Sequence, residues 1–491
     1  MMNNKLIKSL TVFMIILFCI NTIYPYSIFA DSNAEDIELK IINRNTQENK
    51  KSENIEIGNL NLQEKLSKSD YETDLRNFAF YFNERTPVSQ LDKTELEKER
   101  DILLIDTSDK TLMDLNLDIA RIIAKSKNGH SSSVKDFGTS YLPIMIEKIG
   151  DKFYIIDASK NYEHLLYKEI VRINEYDIKD VYSRILKYCP GENEYIKQFN
   201  AKYYYAYYSD VYIKEKIIDG FEFELAYIDN SKIQTEKVKL QKLDEVKILR
   251  SDNGVIDDFS IEYKRKQNPR DEFINFFKEK PSKSKNFYCY NVDNNLVIKY
   301  NKCFDNEEFK ISKMNEKIGE ILSKNKINNI VIDIRNNSGG YANHVFEFLT
   351  QLVKIQDEFP EINFKILIGN GTYSSCTFLL GLTKQFLNNV QFIGEYTGAV
   401  PFFTSTLGGQ IYLGKSKLLI QLSEGFIYTT RYVINPRKII DLNCGEDTWM
   451  PDMFIENQIQ DYAIGNDPAM NYALRDEGDS FLLDRIKGLF N

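Results

Sequence analysis

The stretch "INNIVIDI" (327–334) constrains this chain most. It reads as a continuous apolar run bounded by turn residues, the pattern of a strand buried on both faces of a parallel sheet. The turn "RNNSGG" follows it, and "HVFEFLTQLVKI" (344–355) then has the period of a helix. The same order returns with the strand "FKILIGN" (364–370), the turn "GTYSS" and the helix "FLLGLTKQFL" (378–387). "VQFIGE" (390–395) supplies a third strand. Strands alternating with helices predict an α/β core around a parallel sheet. Ligand sites in such sheets lie at the carboxyl ends of the strands, where both glycine turns fall.

Upstream, "LMDLNLDIARIIAKSK" (112–127) places Leu115, Ile119, Ile122 and Ile123 on one stripe of an amphipathic helix, with Gly129 as its expected stop. Residues 152–159 and 221–228 read as strands, and 162–188 as a short strand followed by a helix. The aromatic-rich "KYYYAYYSDVYI" (202–213) fits helix or strand. At the N-terminus Lys5 and Lys8 precede the apolar run 10–20, and Ala30 closes "SIFA". That is the pattern of a secretory signal peptide. Asn21, Thr22 and Pro25 interrupt the tract, which favours cleavage over retention as a membrane anchor.

The expected layout is a signal peptide (1–30), a flexible lead-in rich in Asn, Glu and Lys (31–65), an N-terminal helical region (66–137), a mixed insert (138–250) and a core domain (285–480). A mature chain with this leader is secreted or held at the cell surface, with no stable membrane insertion after cleavage.

The net charge of −9 is spread over interleaved Lys, Glu and Asp with no basic stripe, which argues against a nucleic-acid partner. Beyond Ala30 the cysteines are Cys189, Cys289, Cys303, Cys376 and Cys444, without C-x-x-C spacing and with room for one bridge. Three histidines, His130, His164 and His344, and no H-E-x-x-H leave little for metal chemistry, so neither a metal nor another cofactor is expected.

Three short stretches carry chemistry together. In "VIDIRNNSGG", Gly339 and Gly340 leave backbone N–H groups open beside a helix start, where negative charge is stabilised. In "NGTYSSC", Ser374 and Ser375 sit at a strand-to-helix turn, which suits a helix cap or a presented nucleophile. A serine nucleophile needs a base, and "AKSKNGHSSS" offers His130. His164 lies in a charged segment, and His344 lies on a helix that packs on the sheet.

With these stretches the chain resembles the C-terminal processing (tail-specific) serine peptidases and their relatives, the tricorn protease core and the retinoid-binding repeats. "VIDIRNNSGG" is similar to the family's Asp-x-Arg-x-Asn-x-Gly-Gly, "GTYSSCTF" to its Thr-x-Ser-Ser-Ala-Glu, and "IGEYTGA" (393–399) to its Gly-Glu-x-Thr-Gly-Gly. "WMPDMFIENQIQDYAIGNDPAMNYAL" (449–474) resembles the closing segment, and "AKSKNGHSSS" the Leu-x-Asp-Gly-His-Thr of the N-terminal region. The order holds from about 75 to 475.

The resemblance implies a ClpP/crotonase-like α/β core, and Ser374 as nucleophile. It also implies an oxyanion hole made by the N–H of Ser375 with that of Gly339 or Gly340. Where many members carry a lysine, this chain has Gly398, Ala399 and Val400. The Ser–His branch resembling tricorn therefore fits better, with His130 as base. The third group maps onto Glu446, with Asp441 and Glu424 as competitors and Ser131 as a further aid to the ring. Thr377 stands where the family has Glu, and Asn128 where it has Asp.

"YKEIVRINEYDIKDVYSRIL" resembles a segment of the family's PDZ-like insert, with Tyr167-Lys168 where glycine is usual. The expected activity is hydrolysis of protein or peptide substrates through an acyl-enzyme. The rival is a catalytically inactive extracellular peptide- or ligand-binding protein on the same scaffold. Oligomeric state stays open.

Overall fold

The computed structural model describes residues 61–86, 93–106, 108–133, 140–206, 208–242, 286–305, 310–400, 402–405, 410–423, 425–428 and 448–475. The leader, the lead-in up to residue 60, and the candidates Glu424, Asp441, Cys444 and Glu446 lie outside them. Among the described residues no helix is long and apolar enough to cross a membrane.

Three helices open the described chain: α1 (Lys68–Arg85), α2 (Lys93–Ile105) and α3 (Leu112–Lys125). Thr111 and Asp114 start α3 with a reciprocal capping box, satisfying N–H groups that the helix itself leaves open. Leu115, Ile119, Ile122 and Ile123 are buried against Leu75, Phe78 and Phe82 of α1, as the stripe predicts. The stop differs from the expected one. Lys127, at φ 56°, takes the left-handed turn after α3, and Gly129 is needed for another reason.

An antiparallel sheet follows, built from β1 (Ile144–Ile149), β2 (Lys152–Ala158), β3 (Glu169–Ile173), β4 (Glu222–Asp229) and β5 (Lys232–Lys239) in that spatial order. Between β3 and β4 the chain forms α4 (Ile178–Leu186), α5 (Glu194–Asn200), a single π-helical stretch (Ala201–Tyr205) and α6 (Asp210–Lys214). The aromatic run is thus helical over 202–205 and 210–213, while Tyr208 forms an isolated antiparallel bridge with Tyr141. Tyr167 stands at φ 66°, the conformation that a glycine there would adopt freely.

The core sheet has the order β6-β7-β8-β9-β10-β13. Its strands are β6 (Phe287–Val292), β7 (Asn295–Tyr300), β8 (Asn329–Asp333), β9 (Asn363–Ile368), β10 (Val390–Gly394) and, after a small hairpin of β11 (Gln410–Tyr412) and β12 (Leu419–Gln421), β13 (Met453–Phe454). All neighbours pair parallel except β6, which joins β7 antiparallel. Helices α7 (Ile311–Lys324), α8 (Ala342–Glu358) and α9 (Ser375–Phe386) connect the strands, and α10 (Pro468–Ala473) closes one face. Val331, Leu367 and Ile393 pack with Met470 on that face. Ile330 and Ile332 point the other way and are buried too, which explains the unbroken apolar run.

At the carboxyl end of β8, Arg335 makes paired hydrogen bonds with two buried carboxylates. Its Nη2 lies 2.7 Å from Asp333 Oδ2 and 2.7 Å from Asp467 Oδ2. Lys299 on β7 also bonds Asp333. Burial works to raise the Asp333 carboxyl, but the charges of Arg335 and Lys299 overcome it and hold it well below the carboxylate range. Two cations against two anions tie β7, β8 and the start of α10 together beneath the glycine turn.

Candidate active site

The site assembles from the turns after β8 and β9 and from the segment that follows α3. Thr372 fastens the two turns: its hydroxyl donates to the Ile334 carbonyl at 2.8 Å and accepts from the Gly369 N–H at 3.1 Å. Asn337, fully buried, organises the glycine turn. Its side-chain oxygen accepts from the Gly339 N–H at 2.9 Å, its amide donates to the Tyr300 carbonyl at 2.8 Å, and its backbone carbonyl accepts from the Tyr373 N–H at 3.0 Å.

Ser374 precedes α9 with φ 55° and ψ −128°. A non-glycine residue held there costs roughly 1–3 kcal/mol, and the surrounding hydrogen bonds must over-determine it. Its side chain makes no capping bond to the helix. Instead Oγ lies 2.9 Å from His130 Nε2. The structure therefore brings together two residues 244 positions apart in the sequence.

His130 is held by its own segment. Asn128 Oδ1 accepts from the N–H groups of His130 and Ser131, at 3.2 Å and 2.9 Å, so an amide performs the acceptor role open to an aspartate there. Ser132 exchanges backbone hydrogen bonds with Gln421 of β12, both at 3.0 Å, and Ser131 Oγ accepts from the Ser423 N–H at 2.9 Å. Ser131 thus fixes the backbone next to the ring.

The oxyanion candidates separate by role. Gly339 donates its N–H to Asn337 and, at φ 102°, leaves space: a Cβ there would lie 2.6 Å from Ser374 Cβ and 2.9 Å from the Ser375 nitrogen. Gly340 pairs in a parallel bridge with Cys303, and its carbonyl accepts from Ser375 Oγ. The N–H groups of Gly340 and of Ser375, first residue of α9, have no acceptor among the described residues. Both are therefore open as candidates for the anion-holding role that the resemblance implies.

Two residues that the sequence reading did not single out complete the surroundings of His130. Tyr373 Oη lies 2.9 Å from His130 Nδ1, and 2.8 and 2.7 Å from the two oxygens of Glu192. Glu192 Oε1 stands 3.6 Å from His130 Nδ1. All three side chains are buried. Burial, reinforced by the charge and hydrogen bond of Glu192, pushes the Tyr373 phenol far above its ordinary range, so it stays protonated. Gly129 lies directly against this pair: a Cβ there would meet Tyr373 Oη at 2.2 Å and Glu192 Oε2 at 2.3 Å.

The other candidates have different surroundings. His344 is buried between Tyr300 Oη, 3.1 Å from Nδ1, and Asp305 Oδ1, 2.5 Å from Nε2. His164 pairs with Glu236 at the surface. Thr377 is fully buried with its hydroxyl unpartnered among the described residues. Cys189, Cys289, Cys303 and Cys376 are free and buried. A cleft of about 190 Å³ is lined by Asn336, Asn370 and Gly371 among others, and not by Ser374.

No family model matches the sequence, and no curated protein matches it. Solved structures do. Mature CPAF complexed with lactacystin superposes with a TM-score of 0.51 at 11% identity, covering 86% of this chain and 98% of that one. The chain shares the fold of mature CPAF. A serine-to-alanine mutant of CPAF gives the same TM-score at 11% identity, over 85% of this chain and 97% of that one. The photosystem II D1 C-terminal processing protease reaches a TM-score of only 0.35 at 10% identity, over 79% of this chain and 93% of that one. Over the CPAF-like fold, the mixed α/β architecture and its mostly parallel sheet are common to both proteins.

Proposed function

We propose that this chain is a secreted serine-type endopeptidase of the C-terminal processing kind, in its Ser–His branch, acting on protein or peptide substrates without a cofactor. The observation that carries this reading is the 2.9 Å approach of His130 Nε2 to Ser374 Oγ on a strained turn beside two free N–H donors. A binding protein has no need of that arrangement. The secretory pattern at 1–30 supports the extracellular location, and the helical region, PDZ-like insert and core at 285–480 form the layout of this reading.

In the proposed reaction, His130 Nε2 takes the Ser374 hydroxyl proton as Oγ attacks the scissile carbonyl carbon. The carbonyl oxygen gains negative charge, held by the N–H groups of Gly340 and Ser375. His130 then gives its proton to the amide nitrogen, the C–N bond breaks, and an ester remains on Ser374. Water, deprotonated by His130, attacks that ester; as the bond to Oγ breaks, His130 returns the proton to Oγ, freeing the carboxylate product and the serine.

Labelling with a fluorophosphonate probe tests this. The parent is expected to be labelled, and Ser374→Ala and His130→Ala to lose labelling. Labelling retained in His130→Ala rejects the base. A folded parent that does not label rejects the peptidase and favours the binding protein.

A further inference from the structure

We infer that Tyr373 and Glu192 form the positioning arm of this site, with a neutral phenol standing between the imidazole and the carboxylate. The inference rests on the reading of Ser374 and His130 above and concerns what sets the state of that base.

The geometry points to one assignment of protons. Tyr373 has a single hydroxyl proton and two acceptors within reach on Glu192, at 2.8 and 2.7 Å. An ionised carboxylate can only accept, so contacts this short require the phenol proton to point to Glu192. The phenol oxygen is then an acceptor toward His130 Nδ1, 2.9 Å away, and that nitrogen must carry the ring proton. A neutral imidazole protonated on Nδ1 has its lone pair on Nε2, which faces Ser374 Oγ at 2.9 Å. Had the phenol donated to Nδ1, the ring proton would sit on Nε2 and His130 could not accept from Ser374.

When His130 takes the serine proton, both ring nitrogens carry hydrogen. Nδ1–H still donates to the phenol, and the charge of Glu192, 3.6 Å from Nδ1, stabilises the imidazolium without receiving a proton. The phenol stays neutral because burial and the neighbouring carboxylate oppose its ionisation.

The pair is built into the fold from both sides. Tyr373 packs with Ile196 and Ala399, and its ring stacks on His130 at a centroid distance of 4.6 Å. Glu192 precedes Asn193, which caps α5 and donates from Nδ2 to the Thr397 carbonyl at 3.1 Å. Gly129 supplies the space that both oxygens occupy. The insert therefore delivers the carboxylate, and the nucleophile turn delivers the phenol.

The test is the rate of fluorophosphonate labelling of Ser374 against pH in the full chain, for the parent, Tyr373→Phe, Glu192→Gln and the double variant. Each single substitution is expected to slow labelling by about 10²-fold or more, by analogy with loss of a triad carboxylate. The double variant is expected to lose no more than the worse single one, because the two groups act as a unit. Glu192→Gln keeps an oxygen for the phenol to donate to, so the hydrogen-bonded frame survives while the charge goes. Its acid limb is expected to move to lower pH, a shift that a merely structural role would not produce, and Glu192→Asp is expected to restore part of it.

A Tyr373→Phe variant that labels within about threefold of the parent overturns the phenol's role. If that variant does not fold, a Glu192→Gln acid limb unchanged from the parent's overturns the arm on its own. A folded parent that does not label refutes the Ser374 reading itself, which separates the two failures.

Discussion

Gly129→Ala places one methyl group where the structure has no room for it, without straining the backbone, since Gly129 does not have positive φ. The new Cβ would lie 2.2 Å from Tyr373 Oη and 2.3 Å from Glu192 Oε2. Ordinary contact begins near 3.5 Å, so each oxygen must retreat by roughly 1 Å. The Tyr373–His130 contact of 2.9 Å would then open to about 4 Å, past hydrogen-bonding distance. Misplacement on that scale costs about 10²-fold in rate. Overpacking costs about 1–3 kcal/mol, small enough to leave the chain folded. The assay is fluorophosphonate labelling rate beside a urea unfolding curve. Labelling at the parent rate in a variant destabilised as expected would show that the phenol need not stay in place, and the argument from Gly129 would fall.

Other perturbations read different parts of the molecule. Gly339→Ala crowds Ser374 Cβ and the Ser375 nitrogen at a φ of 102°, and labelling is expected to fall by about 10²–10³-fold; near-parent labelling would remove this turn from the anion site. Asp333→Asn strips a buried partner from Arg335 and Lys299 and is expected to cost about 3–5 kcal/mol in urea unfolding at pH 7. Because the folded Asp333 pKa is depressed, its contribution is fully present above about pH 4 and lost as pH falls below that, so the variant's stability should change less steeply there; equal slopes would refute it. Asp210, with Oδ2 unpartnered, is pushed up to about 6 by burial, Asp114 adding to it. The folded pKa lies above the unfolded one, so the parent should lose stability as pH rises from about 4 to about 6. Asp210→Asn should abolish that loss, leaving the variant more stable by up to about 3 kcal/mol at pH 7 relative to pH 4; an unchanged pH dependence would sink the claim.

The core was legible in the sequence because its burial is two-sided. Alternate residues of β8 fill opposite faces of the sheet, so "INNIVIDI" shows the run that such a strand requires. His130 and Ser374 were legible as residue types suited to base and nucleophile and by family resemblance. Their 2.9 Å approach was not, since no local pattern encodes a contact between such distant segments. Glu192 escaped notice for a physical reason: in "CPGENEY" an acidic residue before the cap of a short helix reads as a solvated turn. Tyr373, next to the serine, carried no signal beyond being aromatic. In the sequence Gly129 reads as a helix stop because glycine commonly serves there, while in the structure Lys127 takes the left-handed conformation and Gly129 supplies clearance. Glu446, the third group implied by resemblance, lies outside the described residues, as do Asp441 and Glu424.

The proposed base, carboxylate and nucleophile come from stretches far apart along the polypeptide. His130 and Ser374 are 244 residues apart, and Glu192 and Tyr373 are 181 apart. During synthesis a ribosome releases His130 and Glu192 long before Ser374 exists, so under the proposed roles no emerging fragment holds a complete cutting centre. Under the proposed activity, the growing chain is harmless to itself and its neighbours until its last third has been made and folded. A break anywhere that lets these stretches drift apart would silence the molecule again, so labelling of Ser374 doubles as a census of intact, fully folded copies.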